Sequence, residues 1–332
     1  MAQQNIYDNE IFFDGYKKIR DNKINANNLF EIPTLFSMLP DLKNKRVLDL
    51  GCGFGEHCKR FIGCGAKRVV GIDISEKMLE VARNENSDPN IIYIKMPMEK
   101  IAELNEQFDV VVSSLAFHYV DDFEQVVNDI YNMLDTEGIF IFSQEHPLCT
   151  CHSGGNRWTR DEQGNKIHLN LANYGIEGER ESVWFVDNVK KYHRTFSTII
   201  NTLIDAGFSI EKMIEPLPTD EILEQYPDYK DLFHKPDFLL LRVKKWFFAI
   251  VVIYCTYGTK WINEKRLYSI NMPVLVLLGE NEFAFDIRKS DRRARKCIQH
   301  LEMEKSKFVE GDRKILIYLS NKIQNTPLHI HY

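Results

Sequence analysis

Residues 47–56 read VLDLGCGFGE, an apolar run that breaks into glycines at 51, 53 and 55. Glycine at alternate positions lets the chain turn tightly and lets a ligand lie against bare backbone. The next apolar run, RVVGID (68–73), ends in Asp73, 20 residues beyond Gly53. At that distance a strand-terminal carboxylate can accept both hydroxyls of a ribose. A glycine turn alone would be explained by a tight strand-to-helix connection; the pairing with an acid points to a ligand. The spacing is G-x-G-x-G, not the G-x-G-x-x-G of dinucleotide sites. Asp49 stands just before the glycines. A carboxylate is a poor neighbour for pyrophosphate and a good one for an ammonium or sulfonium cation. The turn therefore reads as a cradle for a cationic, nucleoside-bearing ligand.

These residues need a frame that brings them together, and the rest of the sequence supplies it. Strand candidates at 45–50, 68–73, 91–95, 108–114 and 138–144 alternate with helix candidates near 55–62, 75–85, 98–104 and 122–134. Ser75 and Asp122 stand where N-caps belong. Continuous Val/Ile-rich strands separated by helices predict a parallel sheet covered on both faces. Two more helices are expected ahead of it, over 8–20 and 27–39. After a polar, aromatic and glycine-rich connection (146–193), a helix over 195–206 and strands over 207–215 and 237–245 should close the sheet with an antiparallel pair. Long connections of that kind are more often functional than idle.

The G-x-G-x-G turn resembles motif I of the class I S-adenosylmethionine-dependent methyltransferases, and the resemblance extends along the chain. GIDISEKMLEVAR (71–83) is similar to their second motif and FDVVVSSLAFHYVDD (108–122) to their fourth. NMLDTEGIFIFSQEHP (132–147) is similar to their fifth strand, and NTLIDAGFSIEKMIEP (201–216) to their sixth. The match covers residues 1 to about 245 and is nearest the small-molecule, type-11-like branch. It implies a Rossmann-like, doubly wound α/β fold with a mostly parallel seven-stranded sheet and an antiparallel final strand. It also implies S-adenosyl-L-methionine as the methyl donor. Gly51 and Gly53 would flank its methionine part, with Asp49 near the ammonium; Ser114, after the fourth strand, would also bind the cofactor. Asp73 would hold the ribose, Ile74 and Met78 would meet the adenine, and Met98 and Glu99 would close the other side of the base. Pro97 departs from the family, which often has an acid near there for the adenine amino group, so that contact falls to Glu99 or to backbone.

Methyl transfer from a sulfonium needs alignment and exclusion of water, and a base only where the nucleophile must lose a proton. His118 follows the fourth strand and His146 the fifth, at the carboxyl ends where such sheets bind ligands. Both are candidate bases, the alternative being that they orient loops. The segment 146–194, with Trp158, Tyr174, Trp184, Tyr192, His193 and Arg194, is expected to cap the acceptor or to form a satellite core. The run CTCHSGGNRW (149–158) does not have the spacing of a usual zinc site, so no metal is expected. SSLAFHY replaces the D/N-P-P-Y/F type of fourth motif used on nucleic acids and glutamine, and the formal charge is −6. The acceptor is thus expected to be a small molecule rather than nucleic acid or membrane; a homodimer stays open. A nicotinamide oxidoreductase and a non-catalytic S-adenosylmethionine-binding protein are the rival readings.

The amino terminus has no apolar leader, and seven scattered cysteines suit a reducing cytoplasm. Residues 1–245 carry 28 basic and 39 acidic side chains, the remainder 14 and 9. This shift marks 246–332 as a separate piece. Its most apolar window, WFFAIVVIYCTY (246–257), is too short to span a bilayer. RLYSINMPVLVLLGENEFAFD (266–286) resembles the late strand of α/β-hydrolases, with Glu282 at the position of the triad acid. The chain has no G-x-S-x-G elbow, and Lys314 stands where the family's histidine would be. The segment is expected to be a truncated α/β-hydrolase-like fragment without catalysis of its own.

Overall fold

The computed structural model describes residues 5–152 and 154–245, together with the residue pairs 249–250 and 274–275. The chain divides into two units, Met1–Trp246 and Phe247–Tyr332. In the second, Ala249–Ile250 pairs in parallel with Val274–Leu275. The hydrolase-like expectation, with Glu282 and Lys314, lies outside the described residues.

In the first unit, α1 (Glu10–Asp21) is followed by a wide turn over Asn27–Glu31 that runs into α2 (Ile32–Ser37). Strands and helices then alternate: β1 (Arg46–Leu50), α3 (Glu56–Gly63), β2 (Arg68–Asp73), α4 (Glu76–Glu85) and β3 (Ile91–Lys95). A 3-10 segment, Met98–Leu104, leads to β4 (Phe108–Ser113), α5 (Phe123–Met133) and β5 (Leu134–Glu145). The long connection holds a single helical turn, α6 (Pro147–Thr150), and two hairpins, β6 (Trp158–Arg160) with β7 (Lys166–Leu169) and β8 (Gly178–Trp184) with β9 (Val186–His193). The chain returns through α7 (Phe196–Asp205), β10 (Phe208–Ile214), α8 (Asp220–Gln225) and β11 (Phe238–Lys245).

Seven strands form one sheet in the order β10-β11-β5-β4-β1-β2-β3. The first five by sequence are parallel, and β11 runs antiparallel between β5 and β10. The expected fold is thus the one observed. Side chains alternate across the strands. Leu48, Leu50, Val70 and Ile72 pack with α5 and α7 on one face; Val47, Val69 and Val112 pack with α3 on the other. Ser75 caps α4, accepting from Met78 N–H at 3.2 Å, and Asp122 caps α5, accepting from Gln125 N–H at 2.9 Å. The third predicted helix of the alternation is a 3-10 segment, entered through Pro97. Among the described residues no helix is long and apolar enough to cross a membrane.

Candidate functional site

All three glycines of the first turn have positive φ: +70° at Gly51, +52° at Gly53 and +75° at Gly55. A side chain at Gly51 would meet Ala116 Cβ at 2.7 Å and Met98 Cε at 3.1 Å, and one at Gly55 would run into the Tyr93 hydroxyl. At Gly53 a Cβ would meet nothing within 4 Å. Two glycines therefore make room for neighbouring elements, while the middle one faces open space. Beside that space, Asp73 Oδ2 accepts from Gly53 N–H at 2.9 Å and Oδ1 accepts from Ser75 N–H at 2.9 Å. The acid at the end of β2 and the turn after β1 are one bonded unit. Burial pushes the Asp73 carboxyl up to about 6, against the two amide bonds.

Asp49 lies on the Val47 face of β1, where packing calls for an apolar residue. It is 1% exposed, and its Oδ2 accepts from the Cys58 thiol on α3 at 3.2 Å. Burial pushes its carboxyl up to about 7; the Cys58 bond opposes this, while Asp73 and Glu31 add to it. Its side chain is thus held at the end of β1 by α3, which supplies its hydrogen-bond donor. Ile74 is half-buried next to Asp73, its carbonyl accepting from Asn5 at 3.2 Å. Met78 is buried under α4, Met98 flanks Gly51, and Glu99 is half-buried in the 3-10 segment.

The two histidines take different surroundings. Both ring nitrogens of His146 are engaged: Nδ1 accepts from Leu148 N–H at 3.1 Å, which makes Nε2 the protonated atom, and Nε2 donates to Glu215 Oε1 at 2.8 Å. It caps α6 and ties β5 to the segment after β10. His118 is 4% exposed in a 3-10 turn after β4, its Nδ1 accepting from Glu145 N–H at 3.3 Å. Burial pushes it down to about 4; Glu145 opposes, and Lys191 and Arg194 assist. At neutral pH it is an uncharged ring with Nε2–H as its free donor, 3.9 Å from Glu145 Oε1. That carboxylate pairs with Lys191 at 2.6 Å; burial alone would raise it, but His118 and Lys191 hold it below the usual range.

Four residues that sequence reasoning did not single out are joined to this region, all ahead of β1. Tyr16 and Arg20 are one turn apart on α1, a spacing that puts them on one face. Arg20 pairs with Glu56 at the start of α3. Tyr7 meets Tyr16 and Tyr119 edge to face, with centroids 5.3 and 6.2 Å apart. Glu31, in the apolar run LFEIPTLF, is fully buried; its Oε1 accepts from Ser114 Oγ at 2.9 Å and from Ser143 Oγ. The readable signal was that acid in an apolar stretch, since buried acids are rare.

The β8–β9 hairpin packs on α1. Trp184 and Phe185, at the turn of the β8–β9 hairpin, meet Phe12 of α1 edge to face at 5.2 and 5.6 Å, and Trp184 also meets Tyr16 at 6.2 Å. The hairpin is fixed to β5 by Lys191 and Glu145. Other aromatics of the connection pack away from the turn. Tyr174 lies against His193 at 5.5 Å, and Trp158 against His234 at 5.8 Å.

The chain resembles known proteins in the same region. Residues 48–142 match the model of a methyltransferase domain. The solved structure of an S-adenosylmethionine-dependent methyltransferase from Mesorhizobium loti is 35% identical; the match covers 67% of this chain and 99% of that one, with a TM-score of 0.60. A structure from Listeria monocytogenes assigned to the same class is 42% identical over 65% of this chain and 96% of its own, also at 0.60. A protein of Haemophilus influenzae is 42% identical over 246 residues, 72% of this chain and 96% of the relative. The open space at Gly53 beside the Asp73 carboxylate fits the S-adenosylmethionine on which such enzymes depend. With its sheet order, its turn and its relatives in agreement, the chain belongs to the S-adenosylmethionine-dependent methyltransferases.

Proposed function

We propose that the protein transfers the methyl group of S-adenosylmethionine to a small molecule held beneath the α1 and β8–β9 cover. The cover carries this reading. Its contacts from Trp184 to Phe12 and Tyr16 close the hairpin onto α1, an enclosure that suits a small acceptor better than a polymer. The net charge of −6 and the carboxylates of the site also disfavour nucleic acid. The unpaired thiols of the five described cysteines suit the reducing cytoplasm.

In the same reading Asp73 accepts from the ribose hydroxyls, and Gly51 and Gly53 border the methionine part. Arg20 is the cation available to its carboxylate, and Ser114 lies on the same side. Ile74, Met78, Met98 and Glu99 surround the base. Asp49 acts on the bound cation through its charge. When bound, the donor supplies an electrophilic methyl on a positively charged sulfur. His118, uncharged and with Nε2–H free, orients the acceptor as a donor rather than taking its proton; His146 keeps β5 and α6 in place. Residues 1–245 carry the activity, and 246–332 are catalytically silent.

Incubation of the protein with methyl-labelled S-adenosylmethionine and separate protein, RNA and small-molecule fractions tests this. The label is expected in the small-molecule fraction. Label confined to protein or RNA would overturn the reading.

A further inference from the structure

Glu31 is the feature that cofactor binding does not explain. It sits where the wide turn enters α2, fully buried, with Oε1 satisfied by Ser114 and Ser143. Oε2 is buried and has no hydrogen-bond partner among the described residues. Taking a carboxylate out of water costs several kcal/mol, and polar groups left in that state are characteristic of sites that await a ligand.

Sheet order says which ligand it awaits. From β2 the sheet continues through β1 and β4 to β5. Asp73, for the ribose, ends β2, and the glycine turn follows β1. The reacting end of the donor therefore points toward β4 and β5. Ser114 directly follows β4, and Ser143 lies two residues before the end of β5. Glu31 is bonded to both, so its free oxygen stands on the acceptor side.

We propose that Glu31 Oε2 receives the nitrogen of an amine acceptor and takes its proton, so that the enzyme is an N-methyltransferase of a small amine. This rests on the small-molecule reading above. The surroundings favour a cation over a neutral hydroxyl. Glu31, Asp49 and Asp73 act on one another or on the same groups, and Arg20, whose charge also acts on Glu31, is already shared between Glu56 and the carboxylate of the donor. Tyr16 lies in the field of Glu31 and Asp73, and Tyr7 and Tyr119 extend it into a cluster of rings. Ring faces beside carboxylates stabilise an ammonium. A hydroxyl would bring no charge to offset the buried carboxylate.

The acceptor enters as R–NH3+ and gives one proton to Oε2, leaving R–NH2 and a neutral Glu31. The freed lone pair forms the N–C bond as the C–S bond breaks with its electrons on sulfur. The product leaves as R–NH2+–CH3, and Glu31 returns its proton to solvent.

The test uses the full chain, S-adenosylmethionine carrying a 13C-methyl group, and a protein-free bacterial metabolite extract. The 13C shift of the new methyl identifies the atom that bears it. Calorimetry with S-adenosylhomocysteine is run on the wild type, Glu31→Gln and Glu31→Asp. The expected result is an N-methyl product whose formation falls about 100-fold or more in Glu31→Gln and recovers in part in Glu31→Asp, with S-adenosylhomocysteine affinity unchanged. An O-, S- or C-methyl product would overturn the assignment, as would undiminished N-methylation by Glu31→Gln. Loss of S-adenosylhomocysteine affinity in Glu31→Gln would overturn it too, by giving Glu31 to the cofactor. Binding of S-adenosylhomocysteine without any labelled small molecule would refute the small-molecule reading itself.

Discussion

Asp49 and Val47 share a face of β1, and that parity makes Asp49 a carboxylate in a place packed for hydrocarbon. The rise of its carboxyl from 3.8 to about 7 corresponds to about 4 kcal/mol. The folded state holds the proton where the unfolded chain has lost it, so this group's effect on stability worsens as pH climbs from about 4 to about 7. Asp49→Asn is therefore expected to stabilise the ligand-free protein by about 2 kcal/mol at pH 8, part of the gain being lost to the new amide's unpaired donors. The same change should do little at pH 4, as urea unfolding at the two pH values would reveal. Asp73 acts in the opposite sense on binding. In its proposed role at the ribose the carboxylate must be ionised to accept from two hydroxyls, so S-adenosylhomocysteine affinity should drop about tenfold per pH unit below 6, and Asp73→Asn should remove that dependence along with most of the affinity. Asp73 was legible because its distance from the glycines is fixed by the βαβ unit. The direction of the Asp49 side chain was not, because it depends on Cys58, a residue whose thiol gives no signal in a sequence. The two readings of His146, base or loop anchor, could not be separated in the sequence for a related reason. A histidine after a strand looks the same whether it faces a ligand or caps the next turn.

The elements of the sheet were plain from alternating apolar segments, whereas the hairpins of the long connection were not. Strand β8, GERESVW, is half-exposed along its length, so its sequence lacks the apolar stripe that marks a strand with one face in a core. What holds it is contact with α1. A Cβ built on Gly15 would lie 2.6 Å from the Phe185 ring, so the ring lies flat against bare helix backbone. Gly15→Val should push the hairpin off the helix, although valine is no worse than glycine in a helix interior. Faster proteolytic nicking within 178–193, with little change in far-ultraviolet dichroism, is the expected result; unchanged nicking would mean that the hairpin is held by Lys191 and Glu145 alone. Within the sheet, Leu241 of β11 is fully buried between β5 and β10. Leu241→Ala should cost about 3 kcal/mol, read as a lower unfolding midpoint, while the residues of the cofactor turn stay where they are.

At the scale of the molecule, the resemblance along 1–245 anticipated the fold, because order and spacing of several motifs constrain topology more than any one of them does. It could not anticipate that Tyr7, Tyr16, Arg20 and Glu31, all from the segment before β1, pack against Tyr119, Glu56, Ser114 and Ser143 of the later elements. That segment has no fixed offset from the motifs, and only tertiary packing brings it over the sheet. The position of β11 has a consequence for how such a chain is made. As β10 leaves the ribosome it has no neighbour in the sheet, for the strand between it and β5 has not yet been synthesised. Until residue 245 emerges, the nascent chain carries the open edges of two strands, which invite pairing with other chains. A chain stopped after Pro236 should therefore aggregate during expression and need chaperones, whereas one stopped after Lys245 should fold and bind S-adenosylhomocysteine. Sedimentation of the two products separates these outcomes. Synthesis of this protein is thus exposed to failure at the last strand of its seven-stranded sheet, after the cofactor turn and the acid that bonds it have already been made.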